Sequence, residues 1–235
     1  MAPKTPIPVP ETLKPKYWPT WLALGLLRLA TLLPYPAQNA IGRQLGKLIH
    51  RFARKRRRIA EINIQRCFPE KTTTEQTAMV EAHFAELGMM LLDTALSWWA
   101  RPATLQRLAR IQGMNHLTDA LARERGVILL TGHMTTLDIG GIILGEALSR
   151  TPWPMQVMYK RSRNPLLEAM MRRGRERFMH RVFIRQDMRS FVKGLKENHP
   201  TWYAPDQDFG RNNTVFANFF GIATSTLPTP ARIAA

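Results

Sequence analysis

The apolar positions divide the chain into three regimes. From Trp18 to Leu33 the run WPTWLALGLLRLATLL carries a single charge, Arg28. Trp18, Trp21 and Tyr35 border it, and IGRQLGKLIHRFARKRRR follows, with six basic side chains in residues 51–58. An apolar run of nearly 20 residues with aromatic borders and a cationic flank predicts a membrane-anchor helix over 17–36, held at an anionic cytoplasmic leaflet. No small-residue cleavage site follows, which argues against a signal peptide. Residues 1–16 then form an N-terminal tail, and 37–235 the folded domain.

The second regime, 59–112, reads as helical. In AMVEAHFAELGMMLLDTALSWWA, residues 78–100, Val80, Phe84, Leu87 and Leu91 recur at helical spacing. Pro102 either ends that helix or opens the next.

From residue 111 onward, short apolar runs alternate with amphipathic ones. GVILLT (126–131), MQVMY (155–159), RVFI (181–184) and TWYA (201–204) predict strands. Residues 135–148, 164–179 and 187–198 predict helices, the second opened by Pro165 and the third capped by Asp187. This alternation predicts an α/β fold, a sheet flanked by helices with functional groups gathered at the strand ends.

Composition changes this picture in two ways. Lys+Arg number 34 against 17 Asp+Glu, a formal net charge of +17. Such a surface suits nucleic acid, anionic lipid or an acidic carrier protein. The basic run has few interleaved aromatics and no zinc, RRM or helix-turn-helix pattern, so a nucleic-acid reading rests on charge alone. A single cysteine, Cys67, excludes an intrachain disulfide and any thiolate cluster.

Three clusters lie at predicted strand ends. In TGHMTTLDIGG (131–141), His133 and Asp138 stand five apart at a strand-to-helix turn. Either Asp138 orients His133 as a base, with Gly132 allowing a tight turn, or Thr135 and Asp138 form a helix-capping box. With 6 His and 17 acids in 235 residues, about 0.4 such spacings arise by chance, so the pattern alone decides nothing. No G-x-S-x-G nucleophile is nearby, which favours activation of a substrate hydroxyl and hence group transfer. MMRRGRERF (170–178) holds Arg172, Arg173, Arg175 and Arg177, either a solvated face or a fork for phosphate or carboxylate. Asp206-Gln207-Asp208 is a D-x-D pattern that could hold a divalent metal beside a nucleotide sugar, or simply belong to a turn.

Taken together, ARKRRRIAEINIQRCFPE (53–70), VILLTGHMTTLDIGG (127–141), NPLLEAMMRRGRERF (164–178), WYAPDQDFGRNNTVFANFFG (202–221) and PTPARIAA (228–235) resemble the late acyltransferases of lipid A biosynthesis, within the lysophospholipid acyltransferase-like superfamily. The resemblance implies a glycerolipid-acyltransferase-like fold with a mixed sheet. It implies transfer of a fatty acyl chain, lauroyl first and myristoyl next, from acyl-carrier protein to a hydroxyl on a Kdo-bearing lipid A precursor. The implied location is the cytoplasmic face of the inner membrane. His133 would be the general base and Asp138 its partner, with Arg175 and Asp206 binding substrate. Neither a metal nor another cofactor is implied, and nucleic acid is not an implied partner. Family members continue beyond PARIAA, which implies that part of the fold follows this stretch.

Overall fold

Four parallel strands form where the short apolar runs place them. The computed structural model describes residues 6, 9–207, 210 and 214–234. Its helices up to the sheet are α1 (Val9–Thr12), α2 (Trp18–Ala30), α3 (Tyr35–Phe52), α4 (Arg54–Cys67), α5 (Thr73–Trp99), α6 (Pro102–Leu108) and α7 (Met114–Leu121). The alternating half then runs β1 (Val127–Leu130), α8 (Leu137–Leu148), β2 (Gln156–Tyr159), α9 (Pro165–Arg175), β3 (Arg181–Ile184), α10 (Met188–Lys196) and β4 (Pro200–Tyr203). Last come β5 (Val215–Phe219), β6 (Ile222–Thr226) and α11 (Thr229–Ala234).

The sheet order is β1-β4-β2-β3, and every pairing within it is parallel. The expected mixed sheet is thereby corrected. Antiparallel pairing occurs instead in a separate hairpin, β5-β6, which turns at Phe220 and Gly221 with positive φ. Parallel strands need crossover connections, and α8, α9 and α10 supply the crossing mass that covers the sheet. Leu96, Leu105, Ile142, Leu148, Met155 and Val157 form the main buried cluster, which joins α5, α6 and α8 to β2. Each such side chain contributes about 1.5–3 kcal/mol by leaving water.

The N-terminal apolar run is not one helix. Thr31 closes α2 after 13 residues, and Pro34 is the N-cap of α3. Proline lacks an N–H and disfavours helical backbone in the residue before it, so the stretch TLLP becomes a turn. Thirteen residues rise about 20 Å, well below the ~30 Å hydrocarbon core. Among the described residues no helix is long and apolar enough to cross a membrane, and the single anchor helix expected over 17–36 is not formed. Instead, α2 lies against the domain. Leu24 is buried with Trp98, Leu166 and Met170, and Thr20 accepts a hydrogen bond from the Asn164 amide, 2.9 Å. Arg28, out of place in a span, sits 5.7 Å from the Trp99 ring at the C-terminus of α5, where a cation is favourable.

The long helix α5 carries the capping box, formed by Thr72 and Glu75. α3 packs tightly along it, and both helices use glycine where their backbones meet. A Cβ on Gly88 would fall 2.0 Å from the Gly42 carbonyl oxygen, and one on Gly46 would fall 2.2 Å from that of Phe84.

Candidate active site

The register of β1 against β4 determines what stands at their carboxyl ends. Val127 pairs with Pro200 and Leu130 with Tyr203, an offset of 73 residues, and Thr131 N–H extends the ladder to the Tyr203 carbonyl at 3.0 Å. Continued three residues past the strands, that offset places His133 opposite Asp206. The two meet there. His133 N–H donates to Asp206 Oδ2 at 2.7 Å, and His133 Nδ1 lies 2.6 Å from Asp206 Oδ1. Both side chains are partly open to solvent, 39% and 43% exposed. Partial burial pushes the Asp206 carboxyl up, but hydrogen bonds from the His133 side chain and backbone outweigh it and hold the group below the usual carboxylate range. Nδ1 faces an acceptor-only carboxylate and so carries the proton, leaving Nε2 as the lone-pair nitrogen. Among the described residues Nε2 has no partner.

Asp138 lies where the sequence places it, in the first turn of α8, but it does not meet His133. Its Oδ1 accepts from Arg175 Nη2 at 2.6 Å. Both α8 and α9 pack on α5, and the ion pair joins the first turn of α8 to the last turn of α9. Each helix end favours the charge it holds, an acid at the first and a cation at the second. The capping box expected at Thr135 and Asp138 is also absent. Thr136, not Thr135, is the N-cap and makes no side-chain capping bond, which leaves Asp138 out of the N3 position that a capping box needs. Gly132 has no positive φ, so the turn makes no use of glycine's left-handed freedom.

The four arginines of MMRRGRERF separate. Arg175 is largely buried, its guanidinium 5.2 Å from the centre of the Tyr159 ring, and its Nη1 is buried with no hydrogen-bond partner. Arg172 pairs with Glu176 at 2.8 Å. Arg177 donates to the carbonyls of Ser97 and Ala100 at the end of α5, which is helix capping. Only Arg175 reaches the site. Sequence reasoning missed Tyr159, the last residue of β2, whose hydroxyl bonds Glu168 and whose pKa is pushed up to about 12, first by burial and then by that carboxylate. Its only signal was its place at a strand end. Asp208, the second acid of the D-x-D pattern, lies outside the described residues. Asp206 is taken by His133, and among the described residues no cluster of three metal-ligating side chains occurs.

An exposed imidazole oriented by a carboxylate, at the carboxyl end of a parallel sheet, is suited to proton transfer. Comparison with known sequences supplies the family. The profile of the bacterial lipid A biosynthesis acyltransferases matches residues 6–235. The chain belongs to this family. It is therefore an acyltransferase. A lipid A biosynthesis lauroyltransferase of Escherichia coli (strain K12) is 35% identical over 217 residues, 92% of this chain and 69% of that protein. A palmitoleoyltransferase of the same organism is 34% identical over 212 residues, 90% and 68%. A myristoyltransferase is 27% identical over 220 residues, 93% and 67%. The residues described above fall within the matched span.

Proposed function

We propose that this lipid A acyltransferase moves a fatty acyl chain from the thioester of acyl-carrier protein to a hydroxyl on a hydroxyacyl chain of a Kdo-bearing lipid A precursor. His133 Nε2 takes the hydroxyl proton as the oxygen attacks the thioester carbonyl. The C–O bond forms, the C–S bond breaks, and the imidazolium returns the proton to the departing thiolate, so no other co-reactant is needed. Arg175, tied to Asp138 in the first turn of the helix that follows His133, is the cation assigned to favour the negative charge that develops on the carbonyl oxygen. The observation that carries this reading is the Nδ1–carboxylate bond of His133, which leaves a partner-free Nε2 on an exposed ring.

Lauroyl is the first donor chain to supply, with myristoyl and palmitoleoyl beside it, since relatives named for all three match this chain. The excess of basic residues suits an acidic carrier and a phosphorylated acceptor. For location we propose the cytoplasmic face of the inner membrane, reached by surface contact. Trp18, Leu22, Leu26 and Leu29 are exposed along one side of α2, and Leu24 on the other side faces the domain.

The test is acyl transfer with acyl-carrier-protein donors and the Kdo-bearing precursor, read by mass spectrometry of the lipid product. His133→Ala is expected to lower turnover by about 10²–10⁴-fold with folding intact. Turnover near wild type in that variant would refute the assignment of His133.

A further inference from the structure

Basic side chains are spread over much of the surface, but one stripe of them has no local reason to be there. On the outer face of α10, Arg189, Val192, Lys193 and Lys196 recur at i, i+3, i+4 and i+7, so they share one side of the helix, and all four are exposed. We infer that this face docks an acidic protein, the carrier that brings the acyl thioester to the site. The inference rests on the carrier-borne donor proposed above and adds where that donor is held.

The helix is a firm platform. Its inner side buries Phe191 and Gly194, a Cβ on Gly194 would strike the Gln156 amide, and the helix packs on β4. Lys193 and Lys196 stand in the last turn, where a cation favours the helix end. Arg189 stands in the first turn, where a cation is disfavoured, so helix stability does not account for it. Among the described residues Arg189, Lys196 and Arg185, which precedes the helix, make no ion pair. Lys193 lies 3.8 Å from Glu197, itself held by Arg181 at 2.6 Å. Val192 is exposed amid these charges and, with Met188, lines a groove of about 640 Å³. Cations around one apolar spot match a protein surface whose carboxylates surround an apolar side chain. A lipid surface fits less well, because the apolar side of α10 faces the sheet and Val192 alone offers little to insert. Nucleic acid also fits less well, since no aromatic side chain stands in the row to stack a base. The location agrees with delivery to His133. Lys160 and Arg185 follow directly on β2 and β3, at the end of the sheet where His133 stands beyond β1. Three strand spacings, about 14 Å, separate β3 from β1. A thioester on a flexible arm spans that width.

The test uses the full chain with two double charge reversals. One is Arg189→Glu with Lys196→Glu on α10, and the other is Arg54→Glu with Arg56→Glu on α4, a basic surface elsewhere. Binding of labelled acyl-carrier protein is read by fluorescence anisotropy. Turnover is read with the carrier-borne thioester and with the same acyl chain on free pantetheine. The α10 reversal is expected to weaken carrier binding and raise KM for the carrier-borne donor by about tenfold, with turnover on the pantetheine thioester near wild type. Added salt should weaken carrier binding by the wild-type chain and affect the α10 variant less. The α4 reversal is expected to leave carrier binding in place. All four replaced residues are exposed, so the melting temperature should not move. Carrier binding untouched by the α10 reversal, or weakened as much by the α4 reversal, would overturn the inference. Equal losses on both donors would also overturn it, since the stripe would then serve the acceptor or the fold. Reduced flotation with anionic vesicles at unchanged carrier binding would assign the face to lipid instead. A wild-type chain that transfers from neither donor would remove the acyl-transfer reading on which the inference rests, so the two failures are distinguishable.

Discussion

Gly88→Ala sets two opposed effects against each other, and the structure says which wins. In an isolated helix the change is favourable by about 1 kcal/mol, because glycine loses more backbone entropy on ordering. Here the new methyl would lie 2.0 Å from the Gly42 carbonyl oxygen, 2.3 Å from Gly46 N and 2.7 Å from Gly46 Cα. All three neighbours are backbone, so no side chain can swing aside. α3 must retreat by more than an ångström from α5, loosening the seam that includes Phe84 and Val80, both nearly fully buried. Overpacking of this kind costs about 1–3 kcal/mol or more. With backbone on both sides the upper end applies, so we expect a net loss of about 2 kcal/mol. For a chain of this size that lowers the melting temperature by about 4–8 °C. Gly25→Ala is the internal control, since its Cβ meets nothing within 4 Å, and it should be neutral or slightly stabilising. Urea denaturation of the two variants against wild type makes the measurement. A Gly88→Ala protein as stable as Gly25→Ala would refute the close approach of α3 and α5.

Two further outcomes follow from features away from the reacting groups. The Asp93 carboxyl is pushed up to about 6, mainly by burial and then by Glu86. A raised folded-state value means stability is lost as pH rises from about 4 to 6, so Asp93→Asn should stabilise by about 1–2 kcal/mol near pH 8 and by little near pH 4. Denaturation midpoints at both pH values check this, and a less stable Asn variant near pH 8 would contradict it. Leu22→Ser with Leu26→Ser should reduce flotation with anionic phospholipid vesicles several-fold while leaving the melting temperature unchanged, because both side chains are exposed. Undiminished flotation would argue against contact through α2.

The four strands of the parallel sheet were legible because each is a short apolar run between turn residues, whereas the β5-β6 hairpin was not anticipated. The helix caps at Asp187 and Asn164 likewise needed only local rules, although Asn164 was not singled out beside Pro165. His133 and Arg175 could be picked out as residues, but their partners could not. A sequence window sees Asp138 five residues away, whereas Asp206 arrives through strand pairing 73 residues on, and Arg175 reaches Asp138 across 37. The break in the apolar run was readable, since Pro34 and Pro36 flank Tyr35, but hydropathy hid it. Two Thr-x-x-acid patterns were present, and only the one whose threonine became the N-cap, Thr72 with Glu75, formed a capping box, since α8 is capped by Thr136 one residue after Thr135.

The strand order has a consequence for how the molecule comes into being. β1 has one neighbour in its sheet, β4, and β4 also joins it to β2. During synthesis from the amino end, His133, Asp138, Arg175 and three of the four strands appear before the strand that unites them. Until residues 200–206 are available, β1 lacks the strand it pairs with and His133 lacks the acid it bonds. The site is therefore closed by the last strand inserted, and formation of the His133–Asp206 bond marks the moment the nascent sheet becomes one body.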